Sequence, residues 1–203
     1  MLETKVKPTL RERRFQRTRQ ELVDAVLAAV GEYGIEGVTI DRVAEYAGLS
    51  RGTIYAHYPA GRDELLRAAY AALGHDVAGR TRARVLEADS WQARLVAHAS
   101  VMYELARVER IGYFFNVSGP ALIPEGEERG IGSSASVALM RETLVAARED
   151  GTLAADVPPD SIAILLVGAV REAAAAVASG ACDASEAEEG FARLVEGLAA
   201  GVR

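Results

Sequence analysis

Residues 47–58 read AGLSRGTIYAHY and place an unusual set of polar side chains after a short break in an apolar pattern. The break is Gly-Leu-Ser, and the stretch after it offers guanidinium, hydroxyl and imidazole groups. Arg can fork onto guanine O6 and N7, the Thr methyl can meet a thymine methyl, and Tyr and His suit phosphate oxygens. A helix that only packed against a core would need one apolar stripe, so this stretch is a candidate for contact with DNA.

Two short helices joined at this break would position those side chains. Thr39 is expected to cap the first helix and Gly48 to end it, while Ser50 caps a second helix over residues 51–57. Small residues at the turn let the helices cross closely. This is the helix-turn-helix arrangement, in which the second helix enters the major groove of DNA. An ordinary helical hairpin with a polar outer face is the alternative.

The distribution of charge favours DNA over that alternative. The net charge of −6 by itself argues against a nucleic-acid partner. Residues 1–20, however, hold seven basic and two acidic side chains, whereas residues 63–203 hold 13 Arg against 21 acids. A basic end on an acidic body is typical of a protein that binds a polyanion at that end.

Helical periodicity runs through the rest of the chain, and no stretch has the alternation of a strand. From residue 17 to 33, apolar residues recur at the three- and four-residue spacing of one helix face. Further helices are predicted at 40–47, 51–57, 62–85, 90–109, 133–150, 160–179 and 184–201, with a looser aromatic segment at 111–124. The sequence therefore predicts an all-α fold of about nine helices.

No catalytic or metal-binding pattern is present. The sequence has no His-Glu-x-x-His motif, phosphate-binding glycine loop, nucleophile elbow or Cys/His cluster, so we expect neither an enzyme nor a bound metal or cofactor. It has no run of 18 apolar residues and no secretory pattern, and Cys182 is its only cysteine. These features predict a cytoplasmic protein with no membrane partner.

The stretch from residue 17 to 66 resembles the DNA-binding domain of the TetR family of transcriptional regulators. The residues that carry the resemblance are Gly34 and Gly37 before Thr39, then Val43-Ala44, Ala47-Gly48-Leu49-Ser50, Gly52-Thr53-Ile54-Tyr55 and His57-Tyr58. The later helices match only in number, length and pattern. We accordingly expect a basic arm at 1–14, a helix-turn-helix domain at 15–62, and a ligand-binding and dimerisation domain at 63–203.

Combined with the resemblance, the residue types give a set of expected DNA contacts. The set is Arg14, Arg17, Arg19, Thr39, Arg42, Arg51, Gly52, Thr53, Tyr55, Ala56, His57 and Arg62. Family members commonly carry Lys or Arg where this chain has Gly61. Either the turn is one residue longer and Arg62 reaches that phosphate, or this contact is absent. Asp41 is unfavourable beside phosphate, which leaves Arg42 as the contact near the start of the first helix.

The resemblance also implies a homodimer and an effector pocket. The last two helices would pair across the dimer through Ile162, Leu165, Leu166, Ala169, Ala173, Phe191, Leu194, Val195 and Leu198. An apolar or aromatic effector would lie among helices five to eight, lined by Trp91, His98, Met102, Tyr103, Tyr113, Phe114, Phe115, Met140 and Leu144. Core packing within one chain is the alternative for every one of these side chains.

The sequence thus predicts a ligand-responsive regulator. The most direct hypothesis is a repressor that binds a pseudo-palindromic operator as a dimer and is released by a small effector. The alternative is a helical small-molecule carrier or an enzyme whose head does not bind DNA. The basic arm and the polar face of residues 51–57 favour the regulator, because a carrier or enzyme needs neither feature.

Overall fold

The chain is helical throughout the part that the computed structural model describes, residues 9–122 and 129–199. These ranges contain nine α-helices and no strand, which confirms the all-α prediction. The helices are α1 (Leu10–Tyr33), α2 (Ile40–Ala47), α3 (Arg51–His57), α4 (Arg62–Glu87), α5 (Trp91–Ala106), α6 (Glu109–Tyr113), α7 (Arg129–Glu149), α8 (Pro159–Ala178) and α9 (Ala184–Ala199).

The chain divides into two compact units, Met1–Ala69 and Tyr70–Arg203, which we call the head and the body. The division falls inside α4. The domain boundary predicted after residue 62 lies at the first residue of that helix.

One apolar core holds the helices of the head together. Fully buried side chains come from each of its helices: Leu22, Val26, Ala29 and Val30 from α1, Val43 from α2, Ile54 from α3, and Leu65 and Leu66 from α4. The α1 residues recur at three- and four-residue spacing and form one buried stripe. Because burying one such aliphatic side chain contributes about 1.5–3 kcal/mol, this small core fixes the position of the short helix α3.

Helix α1 begins earlier than the sequence periodicity indicated. The predicted start at residue 17 is wrong, because Thr9 is the N-cap of a helix that begins at Leu10 and forms a capping box with Glu12. The backbone N–H of Thr9 donates to Oε2 of Glu12 at 2.7 Å, and the N–H of Glu12 donates to Oγ1 of Thr9 at 3.2 Å. Residues 10–14 of the predicted arm are therefore helical, and residues 1–8 of that arm lie outside the described residues.

Helices α5, α7, α8 and α9 surround the core of the body. Its buried members include Leu95, Ala99, Tyr103, Met140, Leu144, Ala163, Val170, Phe191 and Val195. The helix predicted through residue 109 ends at Ala106, because the backbone at Val108 leaves the helical region with ψ of 63°. The predicted loose segment is helical as far as it is described: α6, a π-helical turn at Phe114–Ser118 and a 3-10 turn at Gly119–Leu122.

Candidate functional site

Two side-chain caps and a left-handed glycine fix α2 and α3. Oγ1 of Thr39 accepts a hydrogen bond from the N–H of Arg42 at 3.2 Å, and Oγ of Ser50 accepts one from the N–H of Thr53 at 3.1 Å. Gly48 ends α2 with φ of 63°, a conformation that glycine adopts without a steric penalty. All three predictions are confirmed, because each depends only on local residue types.

Helix α3 has one buried side and one outer side. Ile54 and Tyr58 are 0% and 1% exposed, and the Tyr58 hydroxyl donates to the carbonyl of Arg19 at 3.3 Å. The side chains that remain exposed are those of Arg51, Tyr55 and Ala56, with Gly52 beside them and Thr53 half-buried at the edge. A short helix anchored on one side and polar or small on the other can lie in a major groove.

Tyr55 packs over the turn between α3 and α4 and remains 49% exposed. Gly61 in that turn has φ of 69°, and a Cβ at this position would lie 3.2 Å from Cε1 of Tyr55. Any other residue at 61 would be both strained and crowded. The sequence did not indicate this contact, which explains why the chain has glycine where the family resemblance implies a basic residue.

An ion pair joins the start of α3 to the start of α2. Nε of Arg51 contacts Oδ1 of Asp41, and the two side chains are 67% and 62% exposed. A surface pair of this kind contributes little to folding stability. The pair does hold the Arg51 guanidinium near the start of α3. It also gives a positively charged partner to Asp41, whose carboxylate we expected to be unfavourable beside phosphate.

Two of the arginines predicted to contact phosphate hold the connection between α1 and α2. Arg62 donates two hydrogen bonds, each 2.8 Å long, to the carbonyls of Val38 and Ile35. Arg42 donates to another carbonyl of this connection, and its guanidinium lies 4.2 Å from the centroid of the Tyr33 ring. Arg62 and Arg42 therefore have a scaffold role that the sequence did not indicate, and their contact with phosphate stays a prediction.

Arg19 and His57 join α1 to the end of α3. Nη1 of Arg19 donates to the carbonyl of His57 at 2.7 Å, and its guanidinium lies 4.1 Å from the centroid of the Tyr58 ring. The His57 ring stacks on Phe15 at 4.3 Å, and its Nδ1 is buried with no hydrogen-bond partner among the described residues. Arg19 and His57 are half-buried, and their contact with DNA stays a prediction. Phe15 was missed because it precedes the predicted start of α1.

The other predicted DNA contacts lie on the surface of the head. Arg17 is 82% exposed and pairs with Glu21 at 3.0 Å along α1, an i,i+4 contact that leaves it accessible. Arg14 and Thr39 are exposed, as are most residues of the outer side of α3. Their contact with DNA stays a prediction.

Four of the nine side chains predicted to line an effector pocket belong to the body core. The core members are Trp91, Tyr103, Met140 and Leu144, each 8% exposed or less. Phe114 is buried, whereas Met102 and Phe115 are half-buried. Tyr113 is 44% exposed on α6, and its contact with an effector stays a prediction. Sequence patterns could not separate these cases, because pocket walls and cores use the same residue types.

Two buried polar atoms in the body, Nε2 of His98 and Oγ of Ser118, have no hydrogen-bond partner among the described residues. Burial lowers the pKa of His98 to about 4, so its imidazole is neutral at pH 7. A buried neutral imidazole can still exchange one hydrogen bond with a ligand or a water molecule. His98 was predicted as a polar contact, but Ser118 was missed because a single serine in an aromatic segment forms no pattern.

An aromatic cluster lies beside Ser118. The Tyr70 ring stacks on Phe115 with the centroids 5.1 Å apart and meets Phe114 edge-on at 6.3 Å. Both phenylalanines were predicted as ligand contacts, whereas Tyr70 was not, because it lies within the long fourth helix. The cluster places aromatic surface next to the π-helical turn, a type of turn that is frequent at functional sites.

The head and the body each match a family model. Residues 22–69 match the model of bacterial regulatory proteins of the tetR family, and residues 107–201 match that of the tetracyclin repressor-like C-terminal domain. The chain belongs to the tetR family. The resemblance drawn from residues 17–66 is thereby confirmed, and members of this family are transcriptional regulators.

Comparison with individual proteins agrees with this assignment. The HTH-type transcriptional regulator BetI 2 of Chromohalobacter salexigens is 40% identical over 81 residues, which are 39% of this chain and 39% of that relative. The match therefore spans about two-fifths of the curated relative.

Two solved structures share the fold of this tetR-family chain. A TetR-family regulator from Pectobacterium atrosepticum is 21% identical, with a TM-score of 0.75 over 97% of this chain and 100% of that one. FadR of Bacillus subtilis, solved in complex with stearoyl-CoA, is 14% identical, with a TM-score of 0.71 over 91% of this chain and 99% of that one.

In this tetR-family body, the residues predicted at a dimer interface fall into three groups. Leu165 and Leu194 are 65% and 57% exposed, and Ile162, Ala169, Ala173 and Leu198 are half-buried. Leu166, Phe191 and Val195 are 6%, 2% and 0% exposed, so they belong mainly to the core of their own chain, and their contact with a partner subunit stays a prediction. They face the core of their own chain because the inner side of each helix is also apolar.

An open groove of about 260 Å³ is lined by residues of α5, α8 and α9. The lining comprises Tyr103, Ala169, Ala173, Ala187, Gly190, Phe191 and Leu194. Within the described residues, Pro159–Ala178 is the one helix long and apolar enough to cross a membrane, judged by length and composition alone. The groove and the exposed Leu165 and Leu194 suggest a different explanation for the hydropathy of Pro159–Ala178. An apolar helix of this kind also suits a surface that packs against a partner helix.

The part of the chain that the structure describes holds no group of three His, Cys, Asp or Glu side chains able to bind a metal ion.

Proposed function

We propose that this tetR-family protein is a ligand-responsive repressor that binds a pseudo-palindromic operator as a homodimer in the cytoplasm. The observation that carries the proposal is the outer side of α3, which is anchored by Ile54 and Tyr58 and leaves Arg51 and Tyr55 exposed. A fold of this kind could also serve as a carrier. A carrier, however, would not require a capped, outward-facing helix of this composition.

Each residue of the outer side has a proposed role in reading DNA. Arg51, in the first turn of α3, reaches base edges, and its preferred partner is guanine. Gly52 lets the backbone approach the DNA closely, and the Thr53 methyl packs on a thymine methyl. Tyr55 donates its hydroxyl to a phosphate oxygen and thereby fixes the register of the helix.

We place the dimer interface on the exposed sides of α8 and α9. Ile164, Leu165 and Leu194 are 60%, 65% and 57% exposed, and large apolar side chains clustered on a surface typically mark an interface. A two-fold axis through this face makes the contact self-complementary. The dimer would contain two copies of α3, and successive major grooves on one side of DNA lie roughly 34 Å apart.

The effector is proposed to bind in the body, near the buried Nε2 of His98. The side chains available around α5 and the π-helical turn are mostly aromatic or aliphatic, with Met102 and Phe115 half-buried. Such a site suits an apolar molecule with one hydrogen-bonding group. The binding of stearoyl-CoA by the structurally similar FadR supports an effector with a large apolar part.

Effector binding would release DNA by shifting a conformational equilibrium. The effector needs only to bind more tightly to the conformation whose two recognition helices have the wrong spacing. A differential affinity of about 3–5 kcal/mol is enough to change the dominant state. No contact between the effector and DNA is required.

The DNA-binding part of the proposal is tested by titrating the full chain with the DNA upstream of its own gene and with a scrambled duplex. The natural duplex should bind at least tenfold more tightly. Arg51→Ala should reduce that preference about tenfold or more, since a bidentate contact with a base discriminates by about 1–3 kcal/mol. Arg148→Ala, a matched change at an exposed position of the body, should leave it unaltered. Equal affinity of the wild-type chain for both duplexes would contradict the proposal.

The effector part is tested on the protein–DNA complex. Stearoyl-CoA, stearate and benzoate serve as probes of an acyl, a fatty-acid and an aromatic ligand, and DNA release is followed by fluorescence anisotropy. A probe that releases DNA from the wild type should release it less well from His98→Leu, because the buried hydrogen bond is lost. Equal release from both proteins would remove His98 from the site.

A further inference from the structure

The ion pair between Arg51 and Asp41 differs from the other charge contacts of the head. Three other arginines donate to backbone carbonyls, and Arg17 pairs with a carboxylate of its own helix. Among the described residues of the head, Arg51–Asp41 is the one ion pair that joins two helices. It connects the first residue of α3 with the first turn of α2. The pair therefore lies at the start of the helix that we propose reads DNA.

The pair holds the guanidinium in a way that suits the readout of a base. The contact is made through Nε of Arg51, on the side of the guanidinium next to its aliphatic stem. A guanidinium carries five N–H groups in a fixed fork, and a carboxylate on that side leaves the two forward N–H groups of Nη1 and Nη2 for another acceptor. Arg51 makes no further hydrogen bond or ion pair within residues 9–122 and 129–199. The O6 and N7 acceptors of guanine match such an edge.

The carboxylate also changes how this guanidinium interacts with phosphate. Arg51 and Asp41 are 67% and 62% exposed, so the pair is accessible to DNA. A guanidinium without a carboxylate partner gains affinity from any phosphate, whatever the base sequence. With Asp41 in contact, the pair has no net charge, and the carboxylate repels phosphate oxygens. Sequence-independent binding should therefore be weakened more than a bidentate contact with a base.

A helix-stabilising role is the plainer alternative for Asp41. An acidic residue in the first turn favours a helix through the macrodipole, and Asp41 lies in the first turn of α2. That effect involves no contact with α3, whereas the structure has the carboxylate against Arg51. The two roles also differ in what they change, because the macrodipole alters the stability of α2 and not the choice among bases.

We propose that Asp41 is a positioning residue that directs Arg51 to a guanine and away from phosphates, and so raises sequence specificity although DNA repels its charge. The inference rests on the proposed function, in which Arg51 contacts base edges. Specificity is a difference between two affinities, and it increases when the wrong complex is weakened. Asp41 lowers the total affinity for DNA and raises the preference for the operator.

The test compares Asp41→Asn with Glu45→Gln, a matched control that removes the same charge from an exposed position one turn later in α2. The full chain is titrated by anisotropy with the upstream and the scrambled duplex over a salt series. Asp41→Asn should bind the scrambled duplex about three- to tenfold more tightly near 0.1 M salt and steepen the slope of log K against log[salt] by about 1, because Arg51 gains a phosphate. Its preference for the upstream duplex should fall about fivefold. Glu45→Gln should leave the preference and the slope unchanged.

A double-mutant cycle separates positioning from an effect on the helix. In the Arg51→Ala background, Asp41→Asn should no longer alter the preference or the slope, because Asp41 acts through Arg51. Upstream duplexes in which one G·C pair is changed to A·T add a readout at single bases. Asp41→Asn should reduce the penalty at the same G·C pair at which Arg51→Ala reduces it, and leave the other penalties as they are. Circular dichroism should give all variants the helix content of the wild type.

The outcomes distinguish this inference from the proposed function. An unchanged preference in Asp41→Asn, or the same change with and without Arg51, would overturn the inference and leave the proposed function standing. A change of equal size in Glu45→Gln would overturn it as well, since a general charge effect would then explain both variants. Equal affinity of the wild type for the two duplexes would instead overturn the proposed function, and the inference would fail with it.

Discussion

The head and the body use polar side chains in different ways. In the head, Arg19, Arg42 and Arg62 all donate to backbone carbonyls, so positive charge helps to hold short helices and their connections together. The body instead has long helices around a large apolar core. Buried nitrogens without a hydrogen-bond partner among the described residues occur in both units, Nδ1 of His57 in the head and Nε2 of His98 in the body. The arginines of the head therefore cannot all be counted as DNA contacts, because some of them stabilise the fold. The unpaired polar atom in the body is a feature a ligand could use.

The largest expected effect tests whether apolar residues of α9 belong to the core or to an interface. Phe191→Ala removes a ring that is 2% exposed, and it should lower the free energy of unfolding by about 3–5 kcal/mol. Urea denaturation of the full chain, followed by circular dichroism at several protein concentrations, measures this change.

Leu194→Ala is the control on the same helix, because that side chain is 57% exposed. It should change the stability of the subunit little and instead raise the concentration at which dimers dissociate in analytical ultracentrifugation. If Phe191→Ala yielded a stable monomer and Leu194→Ala an unstable chain, the two assignments would have to be exchanged.

A second substitution tests the scaffold arginines of the head. Arg62→Ala removes two 2.8 Å hydrogen bonds to carbonyls, and we expect it to destabilise the head by about 2–3 kcal/mol. Hydrogen exchange measured by mass spectrometry should show faster exchange in the peptides of the head and unchanged exchange in those of the body.

Arg14→Ala provides the comparison for this result, since it removes the same charge from an exposed position of the head. Its exchange pattern should match that of the wild type. Equal protection of the head in Arg62→Ala would mean that the two carbonyl contacts contribute nothing measurable.

A smaller effect concerns pH and is confined to the body. Burial lowers the pKa of His98 from its ordinary value of 6.5 to about 4, so the unfolded chain binds a proton that the folded chain does not between these two values. The stabilising contribution of neutral His98 is therefore complete above pH 6.5 and is lost as the pH falls towards 4. Between pH 7 and pH 4.5 the loss should be about 2 kcal/mol.

His98→Leu should remove this part of the pH dependence, whereas His75→Leu, at an exposed position, should retain it. Urea titrations at the two pH values measure both. A loss of stability as large in His98→Leu as in the wild type would show that other groups cause it.

Local features of this fold were predictable from the sequence, and long-range ones were not. The caps at Thr39 and Ser50 follow from residue type, and the structure has them as predicted. The burial of Ile54 and Tyr58 agrees with the four-residue spacing of one helix face. The stacking of Phe15 on His57 joins residues far apart in the chain and has no sequence signal.

The core and the interface of the body were confused for a related physical reason. Leu165 and Leu166 are neighbours of the same apolar type, yet one is 65% and the other 6% exposed. A helix buried on one side by its own chain and on the other by a partner needs apolar residues all round. Hydrophobicity therefore identifies such a helix without showing which side faces which neighbour.

The central claim is that the outer side of α3 reads DNA sequence in a symmetric dimer. The most direct measurement is selection of duplexes from a random pool by the full-length protein, followed by sequencing. We predict enrichment of a pseudo-palindrome whose half-site centres lie about one helical turn, 10–10.5 base pairs, apart, with the enrichment lost in Arg51→Ala. A selected pool no different from the starting pool, or enriched sites without two-fold symmetry, would contradict the claim.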